Sequence, residues 1–207
     1  IDYTENFKKF LSERKAGQPF YFWLGTNEPH RAYQSDSWSL DGKSLANVSV
    51  PEYLPDNSTV RGDMLNYAVE IEWFDKHLTH CIAELVRIGE FDNTIIIVTA
   101  DNGMSFPRAK SNCYDAGIHV PLAICWGSKI QHSQVVNALT SSVDFFPTLL
   151  DAACIERKSE LSGQSLLPLI NGKPTEYTSD VVYAGRERHS YARYANQGYP
   201  IRTIRRG

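Results

Sequence analysis

The chain has 207 residues, 42% of them hydrophobic and 12% aromatic, which is enough to bury a core and too apolar for a disordered segment. With 21 Lys+Arg against 24 Asp+Glu the net charge is −3, which argues against a nucleic-acid-binding role for the chain as a whole. The charge is uneven: residues 186–207 hold six arginines and one acid, Glu187, for +5, leaving −8 on the first 185 residues. A basic tail on an acidic body points to a local anion-binding surface or to a segment separated from its usual neighbours. No apolar run approaches the ~18 residues of a membrane span. Ile1-Asp2-Tyr3-Thr4-Glu5 lacks the basic and apolar stretches of a leader, and without Met it reads as a mature or excised end. Cysteines 81, 113, 125 and 154 have no C-x-x-C spacing, so no zinc site is expected, and an even count permits two disulfides. Asn47-Val48-Ser49 and Asn57-Ser58-Thr59 are sequons short enough to arise by chance.

In chain order, periodicity predicts an amphipathic helix over 2–16, stopped by Gly17. Pro19-Phe20-Tyr21-Phe22-Trp23-Leu24 is apolar on both faces and reads as a buried, central strand. Residues 25–62 are irregular, a length that usually signals function or mobility. Apolar residues at steps of three and four, from Met64 to Leu85, predict a long helix over 63–88 ended by Gly89. Thr94–Thr99 is a β-branched strand that runs into Ala100-Asp101-Asn102-Gly103. A loop over 104–118, a strand over Val120–Cys125 and a helix over 141–153 behind Ser141/Ser142 follow. Asp180–Ala184 and Pro200–Ile204 are the last strand candidates. Strands alternating with helices predict an α/β fold with a mostly parallel central sheet flanked by helices.

Open parallel sheets bind ligands outside the carboxyl ends of their strands. Two strands end there in polar groups, Gly25-Thr26-Asn27-Glu28-Pro29-His30-Arg31 and Asp101-Asn102-Gly103. Asp101 with Asn102 offers a carboxylate and a neutral carbonyl oxygen, hard donors suited to Ca²⁺ or Mg²⁺. The same tripeptide also reads as a plain turn. Lys110 lies nine residues after Asp101, and a lone loop lysine is ordinarily a solvated charge.

The surrounding string resembles the sulfatase family of the alkaline-phosphatase-like superfamily. Its carriers are an Ile/Val strand ending Asp101-Asn102-Gly103, Lys110 eight residues after the Asn, and Tyr114-Asp115-Ala116-Gly117-Ile118-His119-Val120-Pro121-Leu122. Pro29-His30, Asp144-Phe145-Phe146-Pro147-Thr148-Leu149-Leu150-Asp151 and Gly163-Gln164-Ser165-Leu166-Leu167-Pro168-Leu169 extend the likeness over about residues 18–207. Asn27–Arg31, Ser105-Phe106-Pro107 and Gly185-Arg186-Glu187-Arg188-His189 look most like the heparan N-sulfatase-like branch.

The resemblance implies an incomplete alkaline-phosphatase-like fold, with residues 1–207 as one partial catalytic domain. It implies metal ligation by Asp101 and Asn102, normally to Ca²⁺, with Mg²⁺ as the alternative. Lys110 matches a lysine on the sulfate oxygens, and His30 a histidine between sulfate and leaving group. Arg186 and His189 could recognise an acidic saccharide, or be solvated charges at a strand end. The family's formylglycine arises from Cys or Ser in C/S-x-P-S/A-R, and no such string occurs in the 207 residues. The early Asp-Asp metal pair is absent too, so the chain reads as the middle of a larger enzyme. The implied whole is a sulfuric ester or sulfamate hydrolase acting on a sulfated sugar, in a periplasmic, secreted or lysosomal compartment, with neither nucleic acid nor membrane as partner. The isolated chain is expected to self-associate through bare apolar faces at Phe20–Leu24 and Ile95–Val98.

Two other readings stand beside it: a phosphodiesterase or phosphonate hydrolase of the same superfamily, and a non-catalytic sulfated-glycan-binding module. Among remaining candidates, His77 and His80 read as solvated helix positions, Asp75 as a hydrogen-bond partner for a neighbouring loop, Asp115 as shaping its loop and His119 as structural.

Overall fold

The computed structural model describes all residues except 131–132 and 189–193. The chain forms two compact units, Ile1–Phe91 and Asp92–Gly207.

In the first unit, α1 (Tyr3–Glu13) starts at Asp2, whose carboxylate accepts from the Glu5 amide at 3.0 Å. After the short α2 (Ser37–Leu40), the 30-residue α3 (Ser58–Arg87) starts at Asn57, which caps the Val60 amide at 3.0 Å. These side chains satisfy amides that a helix's first turn leaves unbonded. α1 packs on α3 with Tyr3, Phe7, Cys81 and Leu85 buried, and burial pushes the Cys81 thiol up to about 11. His77 belongs to this seam and not to a solvated face as expected. Its Nδ1 is 2.8 Å from Thr4 Oγ1, and the Tyr3 and Trp73 rings meet it edge-on. Reading His as polar hid it, because it lies one turn before Cys81 on the buried stripe. His80 is exposed as expected; Asp75 is exposed too, with no hydrogen bond to a loop among the described residues.

Pro19–Leu24 is a second correction: it belongs to no strand. Phe20 and Phe22 pack on Phe7 and Phe10 of α1 with centroids 4.8–5.9 Å apart, whereas Tyr21 and Trp23 are 68% and 76% exposed. The burial alternates with the period of an extended chain. The apolar pattern specifies that conformation, but a strand needs a hydrogen-bonded neighbour, and none of the described residues supplies one.

In the second unit, β1 (Ile95–Thr99), α4 (Asp115–Ile118) and β2 (Leu122–Trp126) come first. α5 (Phe145–Ala152), α6 (Leu167–Ile170), β3 (Val181–Arg186) and β4 (Ile201–Arg206) follow. β1 and β2 pair antiparallel with Ile97 opposite Ile124, and β3 and β4 antiparallel with Tyr183 opposite Ile204. The expected parallel neighbours are therefore not formed among the described residues. Continuous apolar strands of five or six residues do not encode the direction of their partners.

Leu166, Leu169, Ile170 and Tyr177 form the buried core here, with Ile95, Ile124 and Phe145 packed against it. Beside it, Asp144 is 4% exposed and accepts from the Ser141 amide (2.8 Å), the Gln164 amide (2.8 Å) and the Tyr177 hydroxyl (2.9 Å). Thr148 Oγ1 donates to the Asp144 carbonyl and accepts from the Leu166 amide at 2.8 Å, tying α5 to the turn before α6.

Burial, then the Asp144 hydrogen bond, push the Tyr177 hydroxyl up to about 12 from an ordinary 10.0. Raised in the fold, it contributes stability that is complete below pH ~10 and lost as pH climbs towards ~12, about 2 kcal/mol at most. The urea midpoint of the chain should fall over that window, and more steeply than that of Tyr177→Phe. Parallel profiles for the two proteins would contradict the assignment.

Candidate functional site

In the first unit, His30 lies in the loop 25–31. Buried Tyr3 pins it from α1: its hydroxyl donates to Glu28 Oε2 at 2.8 Å and accepts from the Asn27 amide at 3.0 Å. Burial is the main cause of the raised Tyr3 pKa, so the hydroxyl stays a donor. From α3, Asp63 accepts two hydrogen bonds from the Arg31 guanidinium, at 3.1 and 2.5 Å, a bidentate geometry that fixes direction as well as distance. His30 stands between these anchors. Its amide bonds to the Asn27 carbonyl at 2.8 Å, and its exposed ring has Nδ1 2.5 Å from the Arg31 carbonyl. With Nδ1 donating to that carbonyl, Nε2 is the ring nitrogen left for a ligand. The sequence did not single out Arg31 with Asp63; a cation beside the histidine and an acid in the helix's first turns were the available signal.

In the second unit, Asp101-Asn102-Gly103 follows β1. Asn102 Nδ2 donates to the Gly103 carbonyl at 2.8 Å, and its Oδ1 accepts no hydrogen bond among the described residues. The Gly103 amide donates to the Gly117 carbonyl at 3.0 Å, and a Cβ on Gly103 would meet the Ala116 carbonyl oxygen at 1.8 Å. Only glycine permits that approach. It draws the Asp-Asn turn against the segment that leads into β2.

Lys110 lies in the loop between them. Its amide donates to the Met104 carbonyl at 3.0 Å, its carbonyl accepts from Asn112 Nδ2 at 3.2 Å, and neighbouring Ala109 is fully buried. The Lys110 ammonium and the Asp101 carboxylate make no ion pair among the described residues, so both charges are available to a ligand. Asp115 begins α4 and contacts His119 at 3.4 Å and Arg205 at 3.7 Å. His119 is 79% exposed and therefore not the structural residue expected.

Asp101 and Asn102 fit two positions in a Ca²⁺ or Mg²⁺ shell by donor chemistry. They do not complete one, since Ca²⁺ takes roughly six to eight oxygens and no group of three or more His, Cys, Asp or Glu converges among the described residues. Arg186 is turned inward: Nη1 donates to the Ser111 carbonyl and Nη2 to the Tyr199 carbonyl at 3.5 Å. His189 lies outside the described residues. No described helix is long and apolar enough to cross a membrane.

Residues 1–155 match the sequence profile of the family described as Sulfatase. The chain belongs to the sulfatase family. Residues 108–205 also match the profile described as N-sulphoglucosamine sulphohydrolase, C-terminal. Human N-sulphoglucosamine sulphohydrolase is 26% identical over 95% of this chain and 44% of its own length. N-acetylglucosamine-6-O-sulfatase of Bacteroides thetaiotaomicron is 29% identical over 79% of this chain and 29% of its own. The sulfatase chain thus spans less than half the length of either relative.

Among solved structures, one from work on metabolism of multiple glycosaminoglycans by Bacteroides thetaiotaomicron superposes with a TM-score of 0.76 at 20% identity. It covers 99% of this chain and 46% of that one. The phosphonate monoester hydrolase of Silicibacter pomeroyi gives 0.57 at 26% identity, over 75% and 32%. These likenesses identify the alkaline-phosphatase-like fold expected from the sequence.

Proposed function

We propose that residues 1–207 are part of one catalytic domain of a sulfatase that hydrolyses a sulfuric ester or sulfamate of an amino sugar. The carrying observation is that Asp101, Asn102 and Lys110 sit in one hydrogen-bonded loop cluster with the carboxylate and ammonium free of ion pairs. Sulfate carries negative charge that shifts onto the leaving oxygen or nitrogen as the bond to sulfur breaks. Preorganised positive groups aimed at that charge accelerate the step. Lys110 suits the transferring group as a compact point charge facing a tetrahedral anion. His30, with Nδ1 on the Arg31 carbonyl, would present Nε2 to the leaving group. Asp101 and Asn102 would hold Ca²⁺, or Mg²⁺ in its place. When bound, the cation supplies charge neutralisation, and a formylglycine outside this chain supplies the attacking oxygen. The substrate classes named for the relatives support a sulfated saccharide as partner, and a compartment outside the cytosol goes with that partner.

The likeness to a phosphonate monoester hydrolase supports a second reading, hydrolysis of phosphonate monoesters at the same groups. The full-length protein should show the larger kcat/KM on N-sulfoglucosamine or glucosamine 6-sulfate than on a phenyl phosphonate monoester. The reverse order would favour the second reading. The isolated chain, with two protein donors, should bind Ca²⁺ no tighter than ~10⁻⁴ M, the weak end of natural sites. A calorimetric affinity well beyond that would show ligands other than those two.

A further inference from the structure

Arg186 is the last residue of β3, paired with Ile201 of β4. Its guanidinium crosses to the loop 75 positions earlier in sequence and donates from Nη1 to the Ser111 carbonyl, while Nη2 reaches the Tyr199 carbonyl. Nε is buried without a hydrogen-bond partner, and no carboxylate pairs with Arg186 among the described residues. With each Nη giving one N–H to a protein carbonyl and Nε buried, the guanidinium is committed to the protein and not set out as a free bidentate grip for an oxyanion.

Ser111 directly follows Lys110 and has φ +67, a left-handed conformation that a non-glycine residue keeps only where its surroundings over-determine it. Lys110 is itself bonded at its amide to Met104 and at its carbonyl to Asn112. The Arg186 contact to Ser111 is the anchor on the far side of that turn. We propose that Arg186 is a positioning residue: by holding the Ser111 carbonyl it sets the direction in which the Lys110 side chain leaves its loop. This rests on the reading of Lys110 as the sulfate contact.

A double-mutant cycle tests it in the full-length protein, with kcat and KM for glucosamine 6-sulfate or N-sulfoglucosamine measured for Arg186→Ala, Lys110→Ala and the pair. Displacing a catalytic group by about an ångström costs up to ~10²-fold. Arg186→Ala should therefore lower kcat about 10- to 100-fold with KM within about twofold. The double variant should be no slower than Lys110→Ala, because a positioning group has nothing left to position. Arg186→Lys, which keeps a donor for the Ser111 carbonyl, should recover part of the loss. It also serves as the test variant if alanine does not fold. Amide hydrogen exchange across residues 104–113 should quicken in Arg186→Ala.

A rise in KM at unchanged kcat, adding fully to the Lys110→Ala effect, would make Arg186 a substrate contact and overturn the proposal. Wild-type kinetics in Arg186→Ala beside an impaired Lys110→Ala would overturn it alone. Unchanged kcat in Lys110→Ala would overturn the underlying reading and the proposal together.

Discussion

Lys110→Ala in the full-length protein is expected to lower kcat on a sulfated amino sugar by ~10²–10³, the usual cost of one preorganised electrostatic group, with a smaller change in KM. The ammonium faces a sulfate whose charge moves during bond cleavage, so its interaction is stronger in the transition state than in the ground state. The loop that carries it is already built: Ala109 is fully buried beside it and the Lys110 amide is bonded to Met104. Truncation should therefore remove the charge without disturbing the backbone. Lys110→Arg should recover only part of the rate, since a planar fork does not occupy a compact ammonium's place. Steady-state kinetics decide the matter, and a Lys110→Ala enzyme with wild-type kcat would remove Lys110 from the site.

Asp144→Ala should be the most destabilising single change in the second unit. It strips the acceptor from the Ser141 and Gln164 amides and leaves the buried Tyr177 hydroxyl only the Leu139 carbonyl, at 2.9 Å. Each of the two amides left unsatisfied costs ~1–3 kcal/mol, so a loss of roughly 2–5 kcal/mol is expected, towards the upper end for point mutations. Asp144→Asn keeps one carbonyl acceptor and should cost less. The comparison is made by urea denaturation of the chain, where the two variants should be ordered Ala below Asn below wild type. A wild-type midpoint for Asp144→Ala would show that the two amides find other partners.

The sequence pointed to the candidate residues through spacing and to the fold through periodicity, and each reading stopped where a partner mattered. The strand running into Asp101-Asn102-Gly103, the long helix and the last two strands stand where the apolar pattern puts them, within a few residues. Phe20–Leu24 is apolar on both faces and its burial alternates as in a strand, but an extended chain with one covered face needs no hydrogen-bonded neighbour. His77 departs from the periodic reading because a polar residue can sit on an apolar seam when a hydroxyl such as Thr4 Oγ1 meets it. Arg186 was legible as a charge at a strand end. Its grip on Ser111 was not, since nothing in a one-dimensional pattern records a contact across 75 residues. Asp144 had a local signal, the Ser141-x-x-Asp144 spacing of a capping box, but its bonds to Gln164 and Tyr177 were visible only in the fold.

The most direct test is sulfate release itself, measured by ion chromatography. The full-length protein and its Asp101→Ala variant are given N-sulfoglucosamine and glucosamine 6-sulfate while Ca²⁺ is removed by chelation and then titrated back. If Asp101 and Asn102 hold the cation, the wild type releases sulfate, loses that activity on chelation and regains it with Ca²⁺ or Mg²⁺. Asp101→Ala then needs at least ~10-fold more cation or stays inactive, as even loss of an outer-shell partner costs 10- to 100-fold. Sulfate release that survives chelation and is unchanged by Asp101→Ala would contradict the assignment.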